Sequence, residues 1–140
     1  MRKGKSKLRY TTTKHLLTKG QINNKKGIFL IDTGASICCV NQEKMKYFGI
    51  QSFGQSIQAL MVNGQNVSAT PTSRCELKLG RFKLGKHHMV LIDMRIINQE
   101  LTKNKCESID AIIGGELLKQ IGAQIDYNTM TLQFNYRPKA

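Results

Sequence analysis

The sequence predicts an all-β fold, a barrel or a sandwich, with only two short helices. Short apolar runs recur along the 140-residue chain, and 12 glycines against 2 prolines indicate glycine-based turns. The hydrophobic fraction of 40% is sufficient for one core, and the length suits one domain rather than two. No apolar run approaches the roughly 18 residues that a membrane-spanning helix needs, so we expect no membrane segment.

The first predicted hairpin leads directly to an acidic residue. Residues 16–22 and 27–31 have the composition of strands, and the polar stretch 23–26 between them is suited to a turn. The second strand is continuously apolar after its glycine, which indicates that both of its faces are buried. It runs into Asp32, and an apolar strand resumes over residues 37–40.

A short helix and a long hairpin are predicted in the middle of the chain. Asn41 is a suitable N-cap for a helix over residues 42–48. Residues 56–79 are predicted to form a long hairpin that turns at Asn63-Gly64, because Asn-Gly is a strong signal for a hairpin turn.

The C-terminal part is predicted to contain a loop, a second helix and a closing hairpin. Residues 95–108 are polar without a clear pattern, so we expect a loop there. An apolar strand over 111–113 leads through two glycines into a helix over 116–121, and a hairpin over 123–134 closes the domain. Like residues 29–31, the strand 111–113 precedes a glycine turn and a short helix, an internal echo that hints at two-fold symmetry.

Positive charge is concentrated at the N-terminus. The formal net charge is +13, and residues 1–26 hold nine of the 22 basic residues and none of the nine acidic ones. We therefore expect residues 1–15 to form a basic, flexible segment, residues 16–136 the folded domain and residues 137–140 a tail. Contact of the basic segment with nucleic acid is the alternative, although no aromatic residue beyond Tyr10 is interleaved with its basic ones.

The four cysteines are predicted to be reduced, mostly buried thiols. Cys38 and Cys39 are adjacent and would face opposite sides of a strand, and His87 and His88 have the same disadvantage as metal ligands. No Cys-x-x-Cys or His-x-x-x-His spacing occurs, so we expect neither a metal nor another cofactor. The N-terminus shows no secretory signal, which predicts a cytoplasmic location and reduced thiols.

Asp32 is the residue whose position calls for a chemical explanation. A carboxylate directly after a buried strand is costly unless it has a use there. Its oxygens can accept hydrogen bonds from Gly34 and Ser36, and Gly34 permits a sharp turn with room for a second carboxylate. Two carboxylates about 3 Å apart would share a proton, so that one activates a water and the other polarises a peptide carbonyl.

Two motifs resemble the signatures of the retropepsin-like aspartic peptidases. Residues 29–36, Phe-Leu-Ile-Asp-Thr-Gly-Ala-Ser, are similar to the active-site signature, and residues 111–118, Ala-Ile-Ile-Gly-Gly-Glu-Leu-Leu, to the second signature. The Gly-Gly-acid sequence, followed by a helix and Ile-Asp-Tyr, is similar to that of the bacterial branch of the family. The resemblance extends over residues 16–135 and implies a closed retropepsin-type β-barrel with a flap hairpin and one or two short helices.

The resemblance also implies roles for three sets of residues. The catalytic aspartate and its support in the active-site loop would be Asp32, Thr33, Gly34, Ala35 and Ser36. The flap that closes over an extended peptide would contain Met61, Val62, Asn63 and Gly64. The structural residues of the second signature would be Gly114, Gly115 and Glu116.

Individual roles follow from the same resemblance. Thr33 would hydrogen-bond across a dimer axis, Gly34 would contact the substrate backbone and Ser36 would support the carboxylate. Glu116 stands where Asp is commoner in the family, which is tolerable if this acid only caps its helix.

The number of Asp-Thr-Gly motifs determines the predicted assembly. Only one occurs in the chain, and Gly114 takes the corresponding place in the second half. A pair of catalytic carboxylates therefore requires two chains related by a twofold axis. The prediction is a homodimeric aspartic endopeptidase that acts on polypeptide substrates. The alternatives are a peptide-binding module of the same fold without turnover and a nucleic-acid-binding β-barrel.

Overall fold

The computed structural model describes residues 2–60 and 66–136, where the chain is mostly β with few helices. The strands, in chain order, are β1 (Arg2–Lys7), β2 (Arg9–Tyr10), β3 (Leu16–Ile22), β4 (Lys25–Ile31), β5 (Cys39–Asn41), β6 (Ile57–Leu60), β7 (Asn66–Pro71), β8 (Cys75–Leu79), β9 (Phe82–His87), β10 (Val90–Ile92), β11 (Ala111–Ile113), β12 (Gln124–Asp126) and β13 (Thr131–Tyr136). The helical elements are a 3₁₀ turn (Gln42–Lys44), α1 (Met45–Phe48), α2 (Arg95–Lys103) and α3 (Gly115–Gln120). None of these described helices is long and apolar enough to cross a membrane.

The described strands form two sheets. The larger sheet has the order β6-β7-β10-β5-β11-β4-β3-β8-β9, with β2 added to β3, and the smaller has the order β1-β13-β12. Most neighbouring strands are antiparallel, but β11 is parallel to β4 and β10 is parallel to β5. The prediction of a mostly β fold is confirmed. Closure into a barrel stays a prediction, because the described pairings leave β6 and β9 at the two ends of the larger sheet.

The hairpin of β3 and β4 has a tighter turn than the four residues predicted from the sequence. The strands pair down to the residues that flank Asn23-Asn24, and these asparagines have φ angles of 50° and 67°. A two-residue hairpin turn of type I′ requires positive φ at both positions, which asparagine tolerates better than most residues. The Asn23 side chain donates to the Phe48 carbonyl and accepts from the Glu76 amide, so the turn is also fixed from outside.

The internal echo in the sequence corresponds to two neighbouring strands in one register. Strand β11 runs parallel to β4, and residues 111–113 pair in order with residues 29–31. All six side chains are buried, so these strands form the centre of the core. Asp32 and Gly114 therefore follow the ends of two adjacent strands at the same level.

Two apolar clusters lie on opposite sides of β4. Phe29 and Ile31 belong to the larger cluster and Leu30 to the smaller one, as the alternation of side chains along a strand requires. Strand β13 contributes Phe134 to the larger cluster, and α2 contributes Leu101 to the smaller one. The expectation that both faces of β4 are buried is confirmed.

The predicted short helices are both present. The 3₁₀ turn and α1 occupy residues 42–48, and the Asn41 side chain accepts the Glu43 amide as an N-cap does. Helix α1 ends at Gly49, which has the left-handed φ of 64° that glycine adopts without strain. The second helix, α3, begins at Gly115, one residue before the predicted start.

The N-terminal residues differ from the predicted flexible segment. Residues 2–7 form β1, which pairs antiparallel with β13 along its whole length, and β2 pairs with β3. In β1 the small residues Gly4 and Ser6 are buried and the alternating basic side chains are exposed. Because glycine and serine contribute no apolar signal, the period of two in this strand was not recognisable from hydrophobicity.

Helix α2 lies in the stretch 95–108 that was predicted to be a loop, so this prediction was wrong. Its apolar residues Ile97 and Leu101 are four positions apart and pack on the smaller cluster. The Asn98 side chain donates to the carbonyl of Ile109 and accepts its amide, which joins the helix to the chain before β11. Only these two apolar residues of α2 face the core, and the other residues are mostly polar. This pattern was too weak to predict a helix from the sequence.

The central hairpin is shorter than the one predicted over residues 56–79. Strand β6 pairs with β7, but the expected return strand is divided, because β8 pairs with β9 and β3 instead. The residues predicted to be the flap, Met61, Val62, Asn63 and Gly64, lie outside the described residues. The stem formed by β6 and β7 is the part of this hairpin whose position relative to Asp32 can be described.

Candidate active site

Asp32 lies at the carboxyl end of β4, where a buried strand reaches the surface. Its amide donates to the Ile113 carbonyl (N···O 3.0 Å), which extends the β4–β11 register into the loop. Its Oδ1 atom accepts the Gly34 amide at 3.0 Å, and its carbonyl accepts the Ala35 amide at 3.1 Å. The side chain is half-buried. The loop therefore orients the carboxylate and leaves it accessible.

The two glycines of the second signature pack against the loop that carries Asp32. The Gly115 amide donates to the Ala35 carbonyl at 2.6 Å. A Cβ atom at position 114 would lie 2.6 Å from the Ile37 carbonyl oxygen and 2.9 Å from that of Ala35. Only glycine fits at position 114 without displacement of the loop backbone, so the second signature supports the first by direct contact.

Glu116 connects helix α3 to the chain that follows the active-site loop. Its Oε1 atom accepts the Cys38 amide at 2.7 Å. The carboxylate thus satisfies a backbone group outside its own helix, which is more than the helix-capping role considered from the sequence. The far end of the loop is anchored by this bond, as its near end is anchored by the β4–β11 pairing.

The other predicted loop residues are placed at the surface. Thr33, Gly34 and Ser36 are exposed, and Ala35 is half-buried. Among the hydrogen bonds of the described residues, none joins Ser36 to the Asp32 carboxylate, and Ser36 instead lines a cavity beside the loop. In this chain the Gly34 amide orients the carboxylate.

This cavity is small and largely apolar. It has a volume of about 120 Å³, and Gly34 and Ser36 contribute to its wall. The apolar part of its wall is formed by Ala35, Ile37, Cys39, Ala59, Val67, Ala69, Val90 and Ile92. Ala59 and Val67 are paired in the stem of the central hairpin. The cavity therefore lies between the active-site loop and the hairpin stem, where it can receive an apolar side chain of a ligand.

The two cysteines after the loop are not available as nucleophiles. Burial raises the pKa of Cys38 to about 12, and the Glu116 carboxylate adds to the rise while the Gly114 amide opposes it. Burial raises the pKa of Cys39 to about 11, with additional contributions from the charges of Glu116 and Asp32. Thiols with such values stay protonated at neutral pH. Among the described residues no group of three or more His, Cys, Asp or Glu could hold a metal ion.

We expect one of the four thiols to react rapidly with a disulfide reagent such as DTNB at pH 7.5. None of the cysteines is in a disulfide. Hydrogen bonds from Thr12 and Thr13 lower the pKa of Cys106, which is only partly buried, whereas burial raises the pKa of the other three. The absorbance should show one fast thiol in the native protein, none in Cys106→Ser and four after denaturation. Two fast thiols in the native protein would contradict this assignment.

Comparison with known families supplies the decisive observation. The sequence profile of a family described as aspartyl protease matches residues 18–117, a range that includes Asp32, the first signature, the hairpin after it and all but the last residue of the second signature. The chain belongs to the aspartyl protease family. Among curated proteins, none matches this chain by sequence.

Solved structures show which branch of the aspartyl proteases the fold resembles. A retropepsin-like aspartic protease from Rickettsia conorii has a TM-score of 0.58 and 17% identity, with 96% of this chain and 93% of that chain covered. EIAV protease complexed with the inhibitor HBY-793 has a TM-score of 0.61 and 21% identity, with 84% and 98% covered. The retroviral protease-like domain of Ddi1 from Leishmania major has a TM-score of 0.59 and 16% identity, with 89% and 94% covered. The predicted retropepsin-like fold is thereby confirmed.

Proposed function

We propose that this aspartyl protease family member is an endopeptidase that hydrolyses peptide bonds as a homodimer. The observation that carries the proposal is the Asp32 carboxylate, which is held by the Gly34 amide at the end of a buried strand beside an apolar cavity. Asp32 takes part in none of the ion pairs recorded for residues 2–60 and 66–136. A partly buried carboxylate that makes no ion pair with the described residues is best explained by a use in chemistry.

One chain supplies only half of the carboxylate pair that this chemistry needs. Gly114 follows β11 at the level at which Asp32 follows β4. The second of the two similar segments therefore has a glycine where the first has the aspartate. The nearest acid of the second signature, Glu116, is engaged by the Cys38 amide. We therefore assign the second carboxylate to Asp32 of another copy of the chain, related by a twofold axis.

The two Asp32 carboxylates would act on a water molecule held between them. Two like charges so close are disfavoured, so the pair shares one proton. The ionised carboxylate takes a proton from the water as its oxygen attacks the peptide carbonyl carbon, and the protonated one donates to the carbonyl oxygen. The C–N bond of the tetrahedral intermediate then breaks as the leaving nitrogen takes the proton that the first carboxylate received from the water, and a hydroxyl of the intermediate returns a proton to the second carboxylate. No bond between enzyme and substrate forms in this mechanism.

The substrate would bind as an extended strand between the loop and the central hairpin. The flap residues Met61 to Gly64 would cover it, Gly34 would contact its backbone and Thr33 would hydrogen-bond across the twofold axis. The cavity of about 120 Å³ is smaller than the roughly 150 Å³ that accepts a benzene molecule. We therefore expect Val, Leu or Met next to the cleaved bond, and Trp to be excluded.

A peptide-library digest analysed by mass spectrometry between pH 4 and 7 tests this function. We expect cleavage beside Val, Leu or Met, and inhibition by a statine-type peptide, which mimics the tetrahedral intermediate. Asp32→Asn protein purified in the same way is the control for contaminating proteases. Tight binding of the statine peptide without cleavage at any pH would favour the peptide-binding module, and cleavage by the control would assign the activity to a contaminant.

A further inference from the structure

A row of basic side chains crosses the larger sheet near the opposite end of β4 from Asp32. Lys26 of β4 pairs with Gln21 of β3, Gln21 also pairs with Lys78 of β8, and Lys78 pairs with Lys83 of β9. Directly paired residues of neighbouring strands lie on the same side of a sheet. With about 4.8 Å between strands, the row is roughly 14 Å long. We call it the lysine row.

Shallow grooves extend the lysine row at both ends. Beside Lys26, a groove of about 520 Å³ is lined by Lys19, three glycines and Asp110, among others. Beside Lys83, a groove of about 370 Å³ is lined by Arg81, Phe82 and Tyr136. Phe82 also lines a third groove of about 490 Å³ with two lysines of β1. The groove beside Lys26 lies on the same side of the sheet as the lysine row, whereas Phe82 pairs with Leu79 and packs against the larger cluster on the other side. Lys83 lines the same groove as Phe82 and Tyr136, so the two sides meet at the edge strand β9. We call the lysine row and these grooves the basic face.

The positive charge of this face is not compensated within the described part of the chain. Lys78 and Lys83 are directly opposite each other, an arrangement of like charges that destabilises a sheet. No ion pair of the described residues includes a member of the lysine row. Of the two nearby acids, Asp110 is engaged by Lys44 and a backbone amide, and Glu76 is a single charge on β8. The face therefore has the electrostatics of a polyanion-binding surface.

Aromatic side chains lie among the basic ones where the fold joins β9 and β13. The rings of Phe82 and Tyr136 have centroids 4.8 Å apart, and the Arg81 guanidinium lies 5.1 Å from the centroid of the Phe82 ring. Both rings are half-buried, so part of each is open to a ligand. Exposed aromatic rings and guanidinium planes are surfaces on which unpaired bases stack. Acidic polypeptides and lipid headgroups offer no bases for such stacking.

We propose that the basic face binds single-stranded nucleic acid, with phosphates along the lysine row and a base stacked at Tyr136. Lys26, in β4, and Asp32, directly after β4, are six residues apart, which corresponds to roughly 20 Å along an extended chain. The nucleic acid would therefore leave the peptide site open. The proposal does not depend on proteolytic activity, since it uses none of the residues of the active-site loop.

Fluorescence anisotropy with a labelled single-stranded oligonucleotide of mixed sequence tests the proposal on the full chain between 50 and 200 mM salt. Each phosphate contact contributes roughly 0.7 to the slope of log K against log salt concentration. The double variant Lys78→Gln/Lys83→Gln should bind more weakly, with a slope smaller by about 1.4. Lys78→Arg/Lys83→Arg should retain binding, as should Lys103→Gln/Lys105→Gln, which makes the same charge change near the end of α2.

A second variant separates stacking from charge. Tyr136→Leu should weaken binding roughly fivefold or more without a change in the salt slope. Asp32→Asn should bind the oligonucleotide as the wild type does, whether or not the chain cleaves peptides. The proposal is overturned if the two glutamine double variants bind equally well. It is also overturned if polyglutamate or phosphatidylglycerol vesicles bind more tightly than the oligonucleotide at equal charge concentration.

Discussion

Replacement of Asp32 by asparagine should lower peptide hydrolysis by at least roughly a thousandfold without loss of fold. General acid–base catalysis contributes about 10²–10⁴ to a rate, and a dimer of two Asp32→Asn chains would lack both the base and the acid. The amide oxygen of asparagine can still accept the Gly34 amide bond made by Asp32 Oδ1. The kcat on a peptide cleaved by the wild type and the melting temperature of both proteins are the measurements. Wild-type activity in the variant would show that the site lies elsewhere.

Mixing the variant with wild type tests whether two chains form one site. When Asp32→Asn chains are in threefold excess and subunits exchange randomly, only about one quarter of the wild-type chains find a wild-type partner. The activity per wild-type chain should therefore fall to roughly a quarter when mixed dimers are inactive. An excess of active Lys103→Gln chains is the matched control and should raise total activity in proportion. Activity per wild-type chain that is constant at every ratio would indicate a monomeric mechanism.

The central strands and the loop that carries Asp32 were predictable because their signals are local. Residues 28–31 of β4 are continuously apolar and pack on both faces of the strand, and the Asp-Thr-Gly sequence follows them directly. The echo between residues 29–31 and 111–113 indicated symmetry, but the sequence did not show that these segments are parallel neighbours in one register. That pairing brings Gly114 against the loop, and it joins residues 82 positions apart in the chain. Contacts of such separation have no local pattern.

Other parts of the fold were missed because the residues that form them have weak intrinsic preferences. Strand β1 alternates small and basic residues, and it is ordered by pairing with β13 at the other end of the chain. The contact between Phe82 and Tyr136 depends on the same long-range arrangement. The N-terminal segment on its own therefore appeared to lack aromatic neighbours for its charges. The basic face becomes visible only when four strands are placed side by side.

Replacement of Gly114 by alanine should destabilise the protein and impair catalysis more than replacement of its neighbour Gly115. At position 114 the new Cβ would approach the Ile37 and Ala35 carbonyl oxygens to 2.6 and 2.9 Å, and both atoms belong to the backbone. Such overpacking costs about 1–3 kcal/mol. At position 115 the nearest atoms would be 3.3 Å away, so only small adjustments are needed. Urea unfolding of both variants measures the difference in the free energy of unfolding.

Displacement of the loop backbone by the Gly114→Ala substitution should also lower kcat. The segment from Ala35 to Ile37 continues the loop whose amide at Gly34 orients the Asp32 carboxylate, and a misplacement of about 1 Å in a catalytic group costs about 10² in rate. We therefore expect kcat of Gly114→Ala to fall roughly a hundredfold while Gly115→Ala stays within a few-fold of wild type. Equal loss of activity in the two variants, at equal stability, would mean that contact with Gly114 does not position the carboxylate. A normal kcat in a destabilised Gly114→Ala would place the strain in the core instead of in the loop.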